Sequence, residues 1–164
     1  MEPLTERDIR ASFVNCTKGE VKRLAMPRDL AERPWDDLDF LGWRDQAAPQ
    51  RAYLVAGSGD GVTGVALRLA SSHAGQARRS MCSLCLTTHP GGGVSLMTAR
   101  KAGPSGQQGN SVGIYICADL ACSLYLRGKK SAAPGGRLHE SLTQQEQIER
   151  TSANLAGFLD RVVG

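Results

Sequence analysis

Hydrophobic side chains recur at helical spacing near the N-terminus. Ile9, Phe13 and Cys16 follow one another at steps of four and three, behind Thr5, which has an acid three residues later. A stripe of this kind behind a capping box predicts an amphipathic helix that begins after Thr5. Cys16 is expected to be buried on its apolar face. A second short helix is predicted over residues 18–24.

The last part of the chain carries a second helical pattern. Thr143 and Glu146 form a capping box, and the apolar residues after them recur at steps of seven, four and three. The stripe consists of Ile148, Leu155, Leu159 and Val162. We expect a C-terminal helix within residues 138–164 whose apolar stripe packs against a sheet.

Between these ends the pattern changes to the two-residue alternation that is typical of strands. The predicted strands are residues 52–56, 65–69, 79–81, 94–99 and 112–116, the first two joined as a hairpin by the glycine-rich turn 57–61. Residues 119–127 are predicted to form a helix that ends at Gly128. The polar, glycine-rich residues 103–110 are predicted to form a mobile loop.

Residues 27–50 show no regular period. They carry Pro34, Pro49 and both tryptophans of the chain. Large aromatic rings usually anchor a core or an interface and are rare in disordered linkers. We therefore predict an irregular but packed segment.

Four of the five cysteines fall into two pairs. Cys82 and Cys85 are separated by two residues, and Cys117 and Cys122 by four. Two thiolates at the first spacing can face one ion across a tight knuckle, and four thiolates complete the tetrahedron of a structural zinc site. The order of knuckle, strand ending at Cys117 and helix beginning near Cys122 is that of a treble-clef finger. The sequence therefore predicts structural Zn²⁺ bound by these four cysteines.

Other roles for the cysteines are less favoured. A redox pair would leave Cys117 and Cys122 unexplained. Two disulfides would suit a secreted protein, whereas the first residues lack the apolar segment of a signal peptide. His89 lies four residues beyond Cys85 and could replace one cysteine as a ligand, but a loop position beside Pro90 is the preferred interpretation.

The composition fits one globular α+β domain over residues 1–164. Hydrophobic residues make up 41% of the chain, and no stretch approaches the roughly 18 apolar residues of a membrane helix. We expect a cytoplasmic protein with no membrane partner. Within this domain, residues 1–50 are assigned to N-terminal helices and an irregular segment. Residues 51–128 are assigned to the antiparallel sheet and the treble-clef zinc finger, and residues 138–164 to the C-terminal packing helix.

Charge is distributed unevenly along the chain. Residues 1–50 hold eight basic and ten acidic side chains, whereas residues 78–137 hold eight basic side chains and the single acid Asp119. The region that contains the cysteine pairs is therefore strongly basic. Such asymmetry predicts an anionic partner, either nucleic acid or an acidic protein surface.

Three segments resemble one known family. Residues 117–128, which end in Tyr125-Leu126-Arg127-Gly128, are similar to the zinc finger of elongation factor G binding proteins, the FusB-type fusidic acid resistance family. Residues 40–45 and 4–15 resemble its single-domain branch. The resemblance implies a treble-clef finger that binds elongation factor G, promotes its release from the ribosome and confers tolerance of fusidic acid. It implies displacement by binding, with no bond made or broken.

The family's partner contacts are aromatic and basic groups, which are assigned here by residue type alone. The assigned residues are Tyr115, Tyr125, Arg127, Lys129, Lys130, Arg100 and Lys101. Either tyrosine could instead belong to the core. In the resistance proteins a separate helical domain precedes the finger, whereas residues 1–50 precede the predicted sheet here, so the resemblance implies binding more directly than rescue.

The basic region also permits direct binding to RNA or to the ribosome, which is the alternative function. Three tyrosines and three phenylalanines supply few rings for stacking on single strands. No small-molecule substrate and no enzymatic activity are expected. Four thiolates would close the zinc shell, and the sequence lacks the motifs of common hydrolases and phosphate-binding loops.

Overall fold

The fold is described from a computed structural model that covers residues 1–58, 61–70, 79–137 and 139–164. The strands are β1 (Phe40–Arg44), β2 (Arg51–Ser58), β3 (Gly61–Leu69), β4 (Ser80–Met81), β5 (Thr88–His89), β6 (Val94–Arg100) and β7 (Ser111–Cys117). The helices are α1 (Glu6–Ser12), α2 (Lys18–Lys22), α3 (Gly103–Gln107), α4 (Cys122–Leu126) and α5 (Gln144–Val163), with 3₁₀ turns at Leu30–Glu32 and Trp35–Asp37.

Five strands form one antiparallel sheet in the order β1-β2-β3-β6-β7. The strands β4 and β5 pair with each other in a separate hairpin between β3 and β6 in sequence. The predicted α+β class with an antiparallel sheet is therefore confirmed. The strand predicted at 79–81 is found at Ser80–Met81, but it pairs with β5, which was not predicted. The turn predicted at 57–61 includes residues 59 and 60, which lie outside the described residues.

The irregular conformation predicted for residues 27–50 is wrong for Phe40–Arg44, which is the edge strand β1. The predicted packing is confirmed, since Trp35 and Trp43 are both buried. This strand shows no alternation because both of its faces are covered. Phe40 packs in one hydrophobic cluster, whereas Leu41 and Trp43 pack in another.

The loop predicted over residues 103–110 contains the single helical turn α3. Gly106 allows this turn to lie against the end of β6, because a Cβ atom there would be 1.7 Å from the carbonyl oxygen of Lys101. The polar, glycine-rich composition predicted a flexible segment. The close backbone packing of Gly106 instead gives the segment a defined structure.

The first helix begins at the predicted Thr5 cap but ends at Ser12, so Phe13 and Cys16 lie beyond it. Phe13 forms a β-bridge with Gly64, which has no space for a side chain because a Cβ atom would be 2.4 Å from the Ser12 Oγ. Cys16 is partly exposed rather than buried. The second helix is confirmed, at Lys18–Lys22.

Asn15 joins the N-terminal segment to the sheet. Its side-chain nitrogen donates to the carbonyl oxygens of Ala66 and Arg100 at 3.0 Å each, and its side-chain oxygen accepts from the Ala66 N–H at 2.8 Å. Buried polar groups are normally satisfied in this way. Hydrogen bonds to two strands therefore help to fix the chain beyond α1.

The sheet separates two hydrophobic clusters. Along β2, Leu54 and Ala56 belong to the cluster that contains α5, whereas Tyr53 and Val55 belong to the cluster under the N-terminal segment. This alternation places the two clusters on opposite faces of the sheet. The four paired cysteines belong to the α5 cluster, so the predicted metal site is part of that core.

The C-terminal helix is confirmed with the predicted Thr143 cap and capping box. Its buried face includes Leu155, Leu159 and Val162, and also Phe158, which lies next to the predicted stripe. The predicted Ile148 packs against the same cluster but stays partly exposed. Among the helices that the structure describes, none is long and apolar enough to cross a membrane.

Gly42 on β1 generates a testable prediction. A Cβ atom there would lie 2.5 Å from the Leu120 Cβ and 3.2 Å from the Leu120 carbonyl oxygen, so either β1 or the turn at Leu120 would have to shift. We expect Gly42→Ala to lower the free energy of unfolding by about 1–3 kcal/mol, as overpacking does elsewhere. Urea denaturation measures the change.

Gly57→Ala on β2 is the matched control, because no heavy atom of the described residues lies within 4 Å of its Cβ position. Equal denaturation midpoints for the two variants would contradict the close contact between β1 and Leu120.

Candidate metal centre

The first cysteine pair lies in a knuckle between β4 and β5. The Leu84 N–H points to the Cys82 Sγ at 3.4 Å, and the Cys82 N–H donates to the Thr87 carbonyl at 2.9 Å. Leu86 closes the turn with a φ of 56°, a left-handed conformation that is uncommon for a branched side chain. These contacts direct the Cys82 and Cys85 sulfurs to the same side.

The second pair lies where β7 passes into α4. Cys117 is the last residue of β7 and Cys122 is the first residue of α4. Between them Leu120 has a φ of 58°, and its N–H donates to the Cys117 carbonyl at 2.8 Å. The helix predicted over 119–127 therefore begins only at Cys122, after this turn, and it ends before Gly128, whose φ of 67° confirms the predicted stop.

The four sulfurs come together as predicted. The Sγ atoms of Cys82, Cys85, Cys117 and Cys122 all lie within 4.8 Å of one another, and all four residues are buried. The Cys82–Cys122 and Cys85–Cys117 sulfur distances are both 3.6 Å. A tetrahedron with Zn–S bonds of about 2.3 Å has edges of about 3.8 Å. The geometry fits Zn²⁺, and these four cysteines form a structural zinc site.

Electrostatics also favour a cation at this position. Hydrogen bonds with Cys117 and Cys122 lower the pKa of Cys82, whereas hydrogen bonds with Cys117 and Cys82, together with burial, raise the pKa of Cys122. Without a cation the cluster therefore keeps some of its protons, because four neighbouring thiolates repel one another. Bound zinc supplies the positive charge that lets all four thiols ionise, and it leaves no open coordination position.

Helix α5 supports the first knuckle from the core side. The Leu84 carbonyl accepts hydrogen bonds from the Thr151 Oγ1 at 3.2 Å and the Asn154 Nδ2 at 3.1 Å. Neither residue belongs to the apolar stripe that predicted this helix. The polar side chains at its edge thus fix the backbone between two zinc ligands.

His89 lies beside the site, in the strand β5 and not in a loop. Its Nε2 is 3.5 Å from the Cys117 Sγ, and its ring packs against Tyr125 with centroids 4.7 Å apart. When Nε2 carries the proton, it donates to the thiolate and reduces its charge. His89 therefore contacts a ligand and does not replace one.

The seven residues assigned to partner contacts occupy different environments. Tyr115 is 53% exposed on β7, and Arg100, Lys129 and Lys130 are also exposed. Tyr125 is only 6% exposed, and its hydroxyl donates to the Asp119 Oδ2 at 2.8 Å.

Arg127 is held inside the protein by Asp39. Two hydrogen bonds of 2.7 Å join its guanidinium to both carboxylate oxygens, and the side chains are 17% and 11% exposed. The Asp39 N–H donates to the Ser123 Oγ on α4 at 3.0 Å. This bidentate pair ties the segment before β1 to the helix of the finger.

Two lysines of the finger form ion pairs at the surface, and one of these pairs also reaches the segment before β1. Lys129 lies 3.6 Å from the Asp37 carboxylate, and Lys130 lies 2.8 Å from the Asp119 carboxylate. Both lysines are largely exposed, so these pairs contribute little to stability. Part of the charge asymmetry along the sequence is thus neutralised within the fold.

Sequence reasoning did not identify His89, Thr151 or Asp39 as supports of the finger. Each one acts on a residue far away in sequence, so no local period or spacing marks it. The run of acids before Phe40 was the one available signal for Asp39. It indicated charge but not the partner.

Comparison with known proteins agrees with this geometry. A family model described as FBP C-terminal treble-clef zinc-finger matches residues 8–162. No curated protein and no solved structure gives a significant match. The match includes the N-terminal segment, the sheet, all four zinc ligands and nearly all of α5.

The zinc site generates a prediction about stability. Removal of zinc by a chelator, or Cys82→Ser, is expected to abolish cooperative unfolding of the finger, because metal binding and folding are coupled at such sites. Thermal unfolding followed by circular dichroism, together with zinc content, measures this. Cys16→Ser is the control, since Cys16 lies outside the cluster. An unchanged melting temperature after zinc removal would show that the metal is not structural.

The Arg127–Asp39 pair generates another prediction. Asp39→Ala leaves the Arg127 guanidinium mostly buried without its carboxylate, so the free energy of unfolding should fall by about 1.5–3 kcal/mol. The exposed neighbour Asp36 serves as the control in Asp36→Ala. Similar stability of the two variants in urea would mean that the pair does not hold the segment in place.

Proposed function

Because the chain belongs to the FBP C-terminal treble-clef zinc-finger family, we propose that it binds translation elongation factor G through the exposed surface of its finger. The observation that carries the proposal is the family match over nearly the whole described chain, which includes the finger and the elements that support it. The protein would act in the cytoplasm, where translation takes place.

Tyr115 is the central residue of the proposed surface. It lies two residues before the ligand Cys117 on β7, the edge strand of the sheet, and more than half of it is exposed. Its carbonyl accepts the Ser83 N–H at 2.7 Å, so the first zinc knuckle fixes the strand at this point. Met81, which leads into the same knuckle, is 42% exposed. Exposed aromatic and methionine side chains are enriched at protein interfaces.

Lys129 and Lys130 supply positive charge on the same finger. Their ion pairs are solvent-exposed and weak, so acidic groups of a partner can exchange with Asp37 and Asp119 at little cost. Arg127 and Tyr125 are different, because their side chains already have internal partners. We assign these two residues to support of the surface and not to contact with the partner.

Arg100 and Lys101 lie at the opposite end of the β6–β7 hairpin. In the register of these strands Val94 faces Cys117, whereas Arg100 faces Ser111, six residues further along. At about 3.3 Å per residue this separation is about 20 Å. They would contact the same partner only if the interface extended along the hairpin.

The proposed mechanism contains no chemical step. Cys82, Cys85, Cys117 and Cys122 would hold the zinc with no open coordination position, and the metal would hold the knuckle, β7 and α4 in one arrangement. Release of elongation factor G from the ribosome and tolerance of fusidic acid are the further steps of the proposal. They would follow if the bound protein competed with the trapped state of the factor.

Direct binding to RNA or to the ribosome is the second candidate, and the excess of basic residues in 78–137 favours it. The pairing of Arg127, Lys129 and Lys130 with acids lowers the charge available to phosphates. Salt dependence separates the two candidates. Binding to phosphates releases counterions, and this release is less favourable at high salt, so RNA affinity should fall steeply as the salt concentration rises.

The proposed surface predicts the effect of Tyr115→Ala. The affinity for elongation factor G should fall by about tenfold or more, as expected for loss of an aromatic anchor, while the melting temperature changes little. Isothermal titration calorimetry with the purified factor measures the affinity. Leu142→Ala removes a comparably exposed apolar side chain outside the finger and should leave binding unchanged.

Two results would contradict the proposal. One is the absence of binding between the wild-type protein and elongation factor G at micromolar concentrations. The other is an equal loss of affinity in the Tyr115 and Leu142 variants. Binding to ribosomal RNA that weakens steeply with salt, without binding to the factor, would favour the second candidate.

A further inference from the structure

A cleft of about 430 Å³ lies between the N-terminal segment and the sheet, on the face opposite α5. Its walls include Arg23 from the end of α2, Arg51 from β2, Arg68 from β3 and Arg100 from β6. We call it the arginine cleft. None of the zinc ligands lines it.

Three of the four arginines, Arg51, Arg68 and Arg100, come from adjacent strands of the sheet. Arg51 and Arg68 are direct partners in the register of β2 and β3. Arg68 is also opposite Thr98, and Arg100 lies two residues beyond Thr98 on the same face of β6. Like charges directly opposite each other destabilise a sheet. A cross-strand pair of arginines therefore has a cost in the free protein that a bound anion would remove.

The cleft contains too little negative charge to neutralise these groups. Among the described residues that line it, Glu20 is the only acid. Its carboxylate already accepts the Thr17 N–H at 2.7 Å and a hydrogen bond from Arg100 at 3.2 Å. Within the described residues, Arg23, Arg51 and Arg68 have no side-chain hydrogen bond or ion pair.

The Cys16 thiol, which also lines the cleft, does not change this charge balance. Burial, and then the charge of Glu20, raises the pKa of the Cys16 thiol to about 11, so it is uncharged at neutral pH. Four arginines and one glutamate leave a net charge of +3 in the lining. The rest of the wall includes Leu24, Tyr53 and Ala66, which belong to the hydrophobic cluster on this face or pack against it.

We propose that the arginine cleft binds a small organic phosphate, a phosphate monoester attached to an apolar or aromatic body. The guanidinium groups match phosphate oxygens as paired donors, and a monoester carries about −1.5 to −2 charge at neutral pH. The volume of the cleft falls within the range of about 300–1,000 Å³ that is usual for small-molecule sites. Leu24, Tyr53 and Ala66 provide the apolar wall against which the organic body would lie. This site is separate from the zinc finger and goes beyond the proposed function.

The test uses the zinc-loaded full chain and isothermal titration calorimetry. The probes are AMP and phenyl phosphate, with adenosine as the neutral counterpart of AMP. We expect at least one phosphate to bind with a stoichiometry of one, and adenosine not to bind at the same concentrations. Arg68→Gln should weaken phosphate binding by about tenfold or more, since it removes one charge-assisted contact.

Arg51→Gln is a second variant of the site, and Arg161→Gln, on the helix that packs against the other face, is the control. Without ligand, Arg68→Gln should melt no lower than the wild-type protein, because it removes a repulsion. A purely structural arginine would show the opposite change.

Three results would overturn the proposal. Neither phosphate binds, or adenosine binds as tightly as AMP, or both site variants bind phosphate as tightly as the Arg161→Gln control. If neither phosphate binds but a single-stranded RNA oligonucleotide does, the cleft belongs to a nucleic-acid interface.

Discussion

The convergence of four thiolates on one cation is the constraint on which the finger depends. Separate parts of the chain supply the sulfurs: the knuckle between β4 and β5, the end of β7 and the start of α4. The strands β4 and β5 contain only two residues each, so the hairpin that they form has little stability of its own. The metal replaces the packing that such short elements lack. In turn, Thr151 and Asn154 hold the knuckle carbonyl, so the metal site and the main core stabilise each other.

The N-terminal segment depends on the same arrangement from the other side. Gly42 lets β1 approach the turn that contains Leu120, and Asp39 binds Arg127 at the end of α4. The acidic first part of the chain therefore neutralises part of the basic finger. The charge asymmetry that predicted an anionic partner is in part an internal interaction. Exposed basic side chains, among them Lys129, Lys130 and those of the arginine cleft, stay available to partners or ligands.

Local signals in the sequence predicted local structure well. The cysteine spacing predicted the zinc ligands. The capping boxes at Thr5 and Thr143 predicted the starts of two helices, and Gly128 predicted the end of a third, as the structure confirms. The errors arose where tertiary contacts override local pattern. Strand β1 is covered on both faces, so its sequence does not alternate between apolar and polar residues. Helix α3 depends on the close approach of Gly106 to the Lys101 carbonyl. The pairing of Arg51 with Arg68 is set by strand register, which composition does not reveal.

The position of an aromatic or basic residue relative to the metal does not by itself reveal its role. Tyr115 lies two residues before Cys117, and Tyr125 lies three residues after Cys122. Yet the Tyr115 ring faces solvent, whereas the Tyr125 ring packs on His89. The difference follows from geometry. Alternate residues of β7 face away from the core, whereas Tyr125 lies on the buried side of a short helix whose first residue is a ligand. Substitution of Tyr125 would therefore change the metal site as well as any interface, whereas substitution of Tyr115 can report on binding alone.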